Sequence, residues 1–126
     1  HRPSRIGAEA RRPDSAQPSI RDEAGRTVRL GDYFGEKPVM LIMIQYDCQM
    51  LCSQEMNVLT KSLRQMKFDV GKQFNLITLS IDSRETPALA AGKKAAYVKA
   101  YGRPGAAAGW HFLTGDKTNI QRLADA

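Results

Sequence analysis

The chain alternates between two hydrophobic periods. Residues 39–44 (VMLIMI) are six apolar positions in a row, the pattern of a strand buried on both faces at the centre of a parallel sheet. From Ser53 the period changes: Met56, Leu59, Leu63 and Met66 recur at intervals of three and four, with Gln54, Glu55, Lys61, Arg64 and Lys67 between them. That is one apolar stripe of a helix, which should stop before Gly71. Residues 74–81 (FNLITLSI) form a second, weakly alternating apolar run and predict another buried strand. Thr86-Pro87 then opens a helix, with the hydroxyl as N-cap and proline at the first position, where no N–H is required; Gly102 offers the stop. This helix presents Leu89, Tyr97 and Tyr101 to a core and is weakened by Gly92. A loop over 103–109 leads to a third short strand, 110–114 (WHFLT), and Asp116 can cap a last helix carrying Ile120 and Leu123.

Ahead of these elements, residues 19–21 and 26–30 flank the turn Asp22-Glu23-Ala24-Gly25 and predict a β-hairpin, followed by a tight or single helical turn over 31–35. Residues 1–18 hold three prolines and four arginines with little periodicity, which predicts a flexible arm. The order β-hairpin, β, α, β, α, β, α predicts an α/β layer structure with a parallel sheet and right-handed crossovers, one domain over 19–126.

Composition narrows the classes. An apolar content of 42% and a charged content of 25% are those of a globular protein, and 126 residues suffice for a core without a metal or disulfide. Nineteen basic and thirteen acidic residues give +6, but the basic ones are scattered without interleaved aromatics, which argues against a nucleic-acid partner. The longest apolar run is six residues, against the roughly 20 that a membrane-spanning helix needs. The chain opens on His1 without an apolar leader, so any targeting segment lies outside these residues and the compartment is not legible from this end.

The two cysteines of the chain, Cys48 and Cys52, stand together between the 39–44 run and the first helical stripe. A spacing of four puts both on one face of a helical turn, about 6 Å apart along the axis. That suits a disulfide, and it equally lets two thiolates hold one ion. A helix N-terminus favours the thiolate, the form that attacks disulfides and binds soft metals. Two thiolates are too few for a closed zinc site, whereas Cu(I) accepts two or three soft ligands. On the residues alone a redox or metal-binding pair, a structural disulfide and two unrelated cysteines all remain open.

Three segments carry a resemblance. Tyr46-Asp47-Cys48-Gln49-Met50-Leu51-Cys52 after an apolar strand, then residues 76–87 (LITLSIDSRETP), then 109–115 (GWHFLTG), in this order, resemble the SCO/SenC family of thioredoxin-fold copper chaperones. The resemblance runs from about residue 18 to the end. It implies a thioredoxin-like three-layer sandwich preceded by the hairpin, and a periplasmic or otherwise extracytoplasmic protein that is membrane-anchored in some members. It also implies delivery of copper or electrons to the Cu-A centre of cytochrome c oxidase, whose copper-site subunit is then the expected partner. Copper would be held by Cys48, Cys52 and a histidine. Gln49 stands where many members have proline, which leaves both thiol ligands in place. The family's histidine, last hairpin and terminal helix fall beyond the equivalent of Ala126, so the third ligand is expected outside these residues.

Other candidates are weaker. His111 is flanked by Trp110 and Phe112 and reads as a strand histidine rather than a ligand; His1 heads the arm. Met40, Met43, Met56 and Met66 read mainly as core filler, while Met50, between the cysteines, is a candidate thioether contact. Asp82, at the end of the second strand, is a candidate site or partner-surface residue on the resemblance, or a cap for the turn that follows it. The main alternative function is a thiol–disulfide oxidoreductase in which one thiolate attacks a partner disulfide and the other resolves the mixed disulfide. A peroxidase is disfavoured, because Tyr46-Asp47 supplies neither the Thr or Pro nor the arginine such a cysteine uses. A structural disulfide closing so short a loop would restrain little of the unfolded chain.

Overall fold

A computed structural model describes residues 20–35, 37–47 and 51–125, with the side chains of residues 51–53 left undescribed. The expected arm over 1–18 lies outside the described residues. In chain order the elements are β1 (Ile20–Arg21), β2 (Thr27–Val28), a 3-10 turn (Leu30–Tyr33), β3 (Val39–Ile44), α1 (Leu51–Gln65), β4 (Asn75–Ser80), α2 (Pro87–Tyr101), α3 (Ala106–Gly109), β5 (Trp110–Gly115) and α4 (Lys117–Asp125). The strands form one sheet in the order β2-β1-β5-β4-β3, with β3, β4 and β5 mutually parallel and the hairpin antiparallel to β5. The α/β alternation is the predicted one, and the fold is thioredoxin-like.

The helix boundaries follow local chemistry. Thr86 caps α2 by accepting from the Leu89 amide, Pro87 occupies the first position, and Gly102 ends the helix in the left-handed region at φ 76°. Asp116 accepts from the Asn119 amide at 2.9 Å and so caps α4. The expected loop over 103–109 contains a short helix instead, α3, because Ala106, Ala107 and Ala108 carry no side-chain entropy to lose once Gly105 has turned the chain.

Two clusters cover the two faces of the sheet. On one, Met56 and Leu63 of α1 and Ala90 and Tyr101 of α2 pack with Ile44, Tyr46, Leu76, Trp110 and Phe112. On the other, Ile77, Leu79 and Leu113 pack with Ile20, Leu30, Tyr33 and, from α4, Leu123. The stripe read from the sequence is the buried face of α1: Met56 and Leu63 are buried, and Leu59 and Met66 lie against the same cluster. Among the described residues no buried side-chain nitrogen or oxygen lacks a hydrogen-bond partner.

The run 39–44 was expected as a central strand buried on both faces. Among the described residues β3 pairs with β4 and leaves Met40 and Leu41 exposed, at 40% and 37%, so the expectation of full burial is corrected. An unbroken apolar run does not encode which of its side chains are covered, because the cover comes from elements distant in sequence.

The hairpin is held by charge as well as by ladder bonds. Asp22, buried, accepts from the amides of Ala24 and Arg26 and from the Arg26 guanidinium. Burial works against its negative charge, but these bonds outweigh it and hold the carboxyl below its usual value. Because β1 meets β5 at Thr114 and Gly115 and does not reach Phe112, the Phe112 amide finds another acceptor: Glu23, at 2.7 Å, itself tied to Lys94 of α2.

Candidate functional site

The site is assembled at the C-terminal ends of β3 and β4, where Ile44 and Ser80 are register partners and the Ile81 amide extends the ladder to the Ile44 carbonyl at 2.8 Å. In parallel α/β sheets this is the end at which side chains and loops gather into sites. The chain leaves β3 through Gln45, Tyr46 and Asp47 and re-forms as α1 from Leu51. Cys52 is thus the second residue of α1; its side chain, Cys48 and Met50 lie outside what the structure describes.

The approach to Cys48 is fixed in detail. Tyr46 is buried at 2% exposure, with its hydroxyl 2.7 Å from the Thr78 carbonyl and 2.6 Å from that of Leu113, so its single proton is shared between strands β4 and β5. Burial, reinforced by the charges of Glu23 and Glu85, raises its ionisation far above the usual range, so the hydroxyl stays a donor. The amides of Tyr46 and Asp47 donate to the two oxygens of Glu85, at 2.7 and 2.6 Å. Glu85 in turn accepts from the Ser80 hydroxyl at 2.5 Å.

Asp82 is in the same turn. Arg84 donates to it twice through its guanidinium, at 2.9 and 2.8 Å, and once through its amide; Gln45 donates at 3.2 Å. The Arg84 bonds bring the Asp82 carboxyl down to about 2, so it is an anion at any physiological pH. Asp82 caps its own turn, the local role foreseen for it, and borders an open cavity of about 430 Å³ lined by Gln45, Ile81, Arg84, Lys117 and Gln121.

His111 is elsewhere. It pairs with Ile77, three residues before Ser80, or about 10 Å back along the strand. Its half-buried ring lies 4.5 Å from that of Tyr33. Burial first, and then the Lys94 charge, lower its pKa below the usual 6.5, with Glu23 opposing. The unfolded chain therefore binds the proton more readily, and stability present above pH 6.5 is lost as the pH falls below it. The unfolding temperature should drop between pH 7.5 and 5.5, and His111→Phe should flatten that drop; an unchanged slope would remove His111 as its source.

The other histidine, His1, lies outside the described residues. Met56 is buried, Met43 and Met66 pack on the core and Met40 is exposed, which departs from the core position read for it. Among the described residues no group of three or more His, Cys, Asp and Glu side chains could hold a metal ion. Glu85, Ser80 and the Tyr46 hydroxyl are the residues that sequence reasoning did not single out. Glu85 lies 38 positions from the amide it holds, and only its place just before an N-capping Thr-Pro hinted that it closes a turn.

No protein-family model matches the sequence, and no curated protein is similar enough to stand as a relative. Solved structures do match. A copper-bound ScoI from Arabidopsis thaliana is 24% identical with a TM-score of 0.61 over 86% of this chain and 62% of its own. A copper-bound ScoI from Bradyrhizobium japonicum is 25% identical with a TM-score of 0.58, over 86% and 63%. BsSco, described through its disulfide switch as a member of the Sco family of cytochrome c oxidase assembly proteins, is 24% identical with a TM-score of 0.53, over 85% and 60%. The chain spans less than two thirds of the length of each. Strand order and the likeness over most of its length show that this chain shares the thioredoxin-like fold of the Sco structures it resembles.

Proposed function

We propose that the protein is an extracytoplasmic copper metallochaperone that carries Cu(I) on Cys48 and Cys52 and hands it to the copper-site subunit of cytochrome c oxidase. The reading is supported by one conjunction: a dithiol of CxxxC spacing at the β3–α1 junction of a fold shared with copper-bound ScoI structures. The donor set fits the ion. Two thiolates are soft and leave coordination positions open, which suits Cu(I) and not a closed zinc or a hard-cation site. A histidine from outside the 126 residues completes the set. Each thiol releases its proton to solvent as its sulfur binds, so loading weakens as the pH falls.

Transfer needs the ion to leave as well as to bind. A two-thiolate site at the end of the sheet, reached by a partner from solvent, allows ligands to be exchanged one at a time, with no change in the oxidation state of the metal. No described helix is long and apolar enough to cross a membrane. The extracytoplasmic setting in this reading rests on the likeness to the Sco structures.

A second reading, thiol–disulfide exchange with a partner protein, is favoured by one observation: the disulfide switch for which the BsSco structure is described. Titration of the reduced protein with Cu(I) against a competing chelator tests the first reading, with one equivalent bound as the expected result. Turnover of a partner disulfide by the copper-free protein, with no Cu(I) retained, would overturn it in favour of the second.

A further inference from the structure

All three residues that lead into Cys48 are hydrogen-bonded to a single turn on another element. Gln45 donates through its side chain to Asp82, and Tyr46 and Asp47 donate through their amides to Glu85. The turn is itself closed by the Glu85 amide on the Asp82 carbonyl at 3.0 Å, by the Asp82 amide on the Ser80 hydroxyl at 3.0 Å, and by that hydroxyl on Glu85. Ser80 is fully buried at the end of β4, so the carboxylate is tied to the sheet itself. The far end of Tyr46 is pinned independently by the Thr78 and Leu113 carbonyls.

From this we infer that Glu85 is a positioning residue for the dithiol: its carboxylate fixes the backbone on the Cys48 side of the pair and thereby sets how Cys48 is presented, while Cys52 is carried by α1. Only a carboxylate fits the role. Two convergent N–H donors need two acceptor oxygens, and a glutamine offers one oxygen and an NH₂ group that opposes the second amide. Charge assistance makes such bonds shorter and about twice as strong as neutral ones, in keeping with the 2.6 and 2.7 Å distances. The effect is therefore asymmetric between the two cysteines. Loosening the bracket frees the residues before Cys48 and leaves Cys52, four positions on, under the control of its helix.

The inference deepens the proposed function but is read without copper, so the two fail separately. The experiment is alkylation of the reduced, metal-free protein by iodoacetamide over a range of pH, with the modification of Cys48 and Cys52 quantified separately by peptide mass spectrometry. Glu85→Gln should change the ratio of the Cys48 rate to the Cys52 rate threefold or more in native buffer, and the difference from the parent should vanish in denaturant. Ser80→Ala, which removes one support of the carboxylate and keeps both amide bonds available, should move the ratio in the same direction by less. A purely structural role for Glu85 would accelerate both cysteines together, in proportion to the unfolded fraction, and leave the ratio unchanged; that result would overturn the inference. Should Glu85→Gln fail to fold, Ser80→Ala decides alone, and a ratio equal to the parent's would be fatal.

Discussion

Gly109→Ala should destabilise the domain by on the order of 4 kcal/mol, the upper end of what single substitutions do. The turn before β4 and the end of α3 cross here backbone to backbone: a β-carbon on Gly109 would sit 2.2 Å from the Gly71 α-carbon and 2.6 Å from its nitrogen. Neither atom belongs to a side chain that could rotate away. Gly71 cannot yield easily, since its φ of 90° is open to few residues but glycine, its amide is bonded to the Phe74 carbonyl, and its own β-carbon would meet the Gly105 carbonyl at 2.5 Å. With total stabilities of small domains near 5–15 kcal/mol, the variant should be largely unfolded at temperatures its parent tolerates. Gly92→Ala is the matched comparison. It lies in α2 with nothing within 4 Å of an added methyl, and should stabilise by about 0.5–1 kcal/mol through helix propensity. Urea unfolding of the three proteins tests both, and a Gly109→Ala midpoint equal to the parent's would show that the crossing relaxes at no cost.

Cys52→Ser should weaken Cu(I) binding by roughly a thousandfold, equivalent to about 4 kcal/mol. The substitution is nearly isosteric, but it replaces a soft sulfur that ionises within reach of neutral pH by a hard hydroxyl that does not, and Cu(I) selects for the former. Cys48→Ser should behave alike, and the double variant should lose less than the sum of the two single losses if both sulfurs act on one ion. Competition against a Cu(I) chelator reads the affinities, and circular dichroism of the apo-proteins shows whether the fold is kept. Retention of full-strength binding by either single variant would end the copper reading.

The same thiols read differently under the exchange mechanism. There, one serine variant should trap a mixed disulfide with the partner and the other should not react, because the attacking and resolving roles are not interchangeable. Equal loss in both variants under copper, against unequal behaviour under exchange, separates the readings with one pair of proteins.

Much of this molecule was legible in its residues, and for a local reason. The α2 boundaries, the α4 cap, the stripe on α1 and the β–α alternation are set by contacts within a few positions, so Thr86-Pro87, Gly102, Asp116 and the Met56–Leu63 spacing declared them. The CxxxC pair and its neighbours in the chain were likewise visible, as chemistry that needs no fold to be recognised. What the sequence could not express were pairings across long separations. The strand order β2-β1-β5-β4-β3 depends on which strands pair, and an apolar run looks the same wherever it falls. Glu85 presents itself as an unremarkable surface acid until the fold carries it 38 residues back to the Asp47 amide. Gly71 and Gly109 look like ordinary turn glycines until their backbones meet. The sequence by itself determined the elements and set the two cysteines four positions apart, because propensity and capping act locally. The tertiary structure alone decided what braces the chain ahead of that pair, because a hydrogen bond between distant residues exists only once the sheet has brought them within 3 Å.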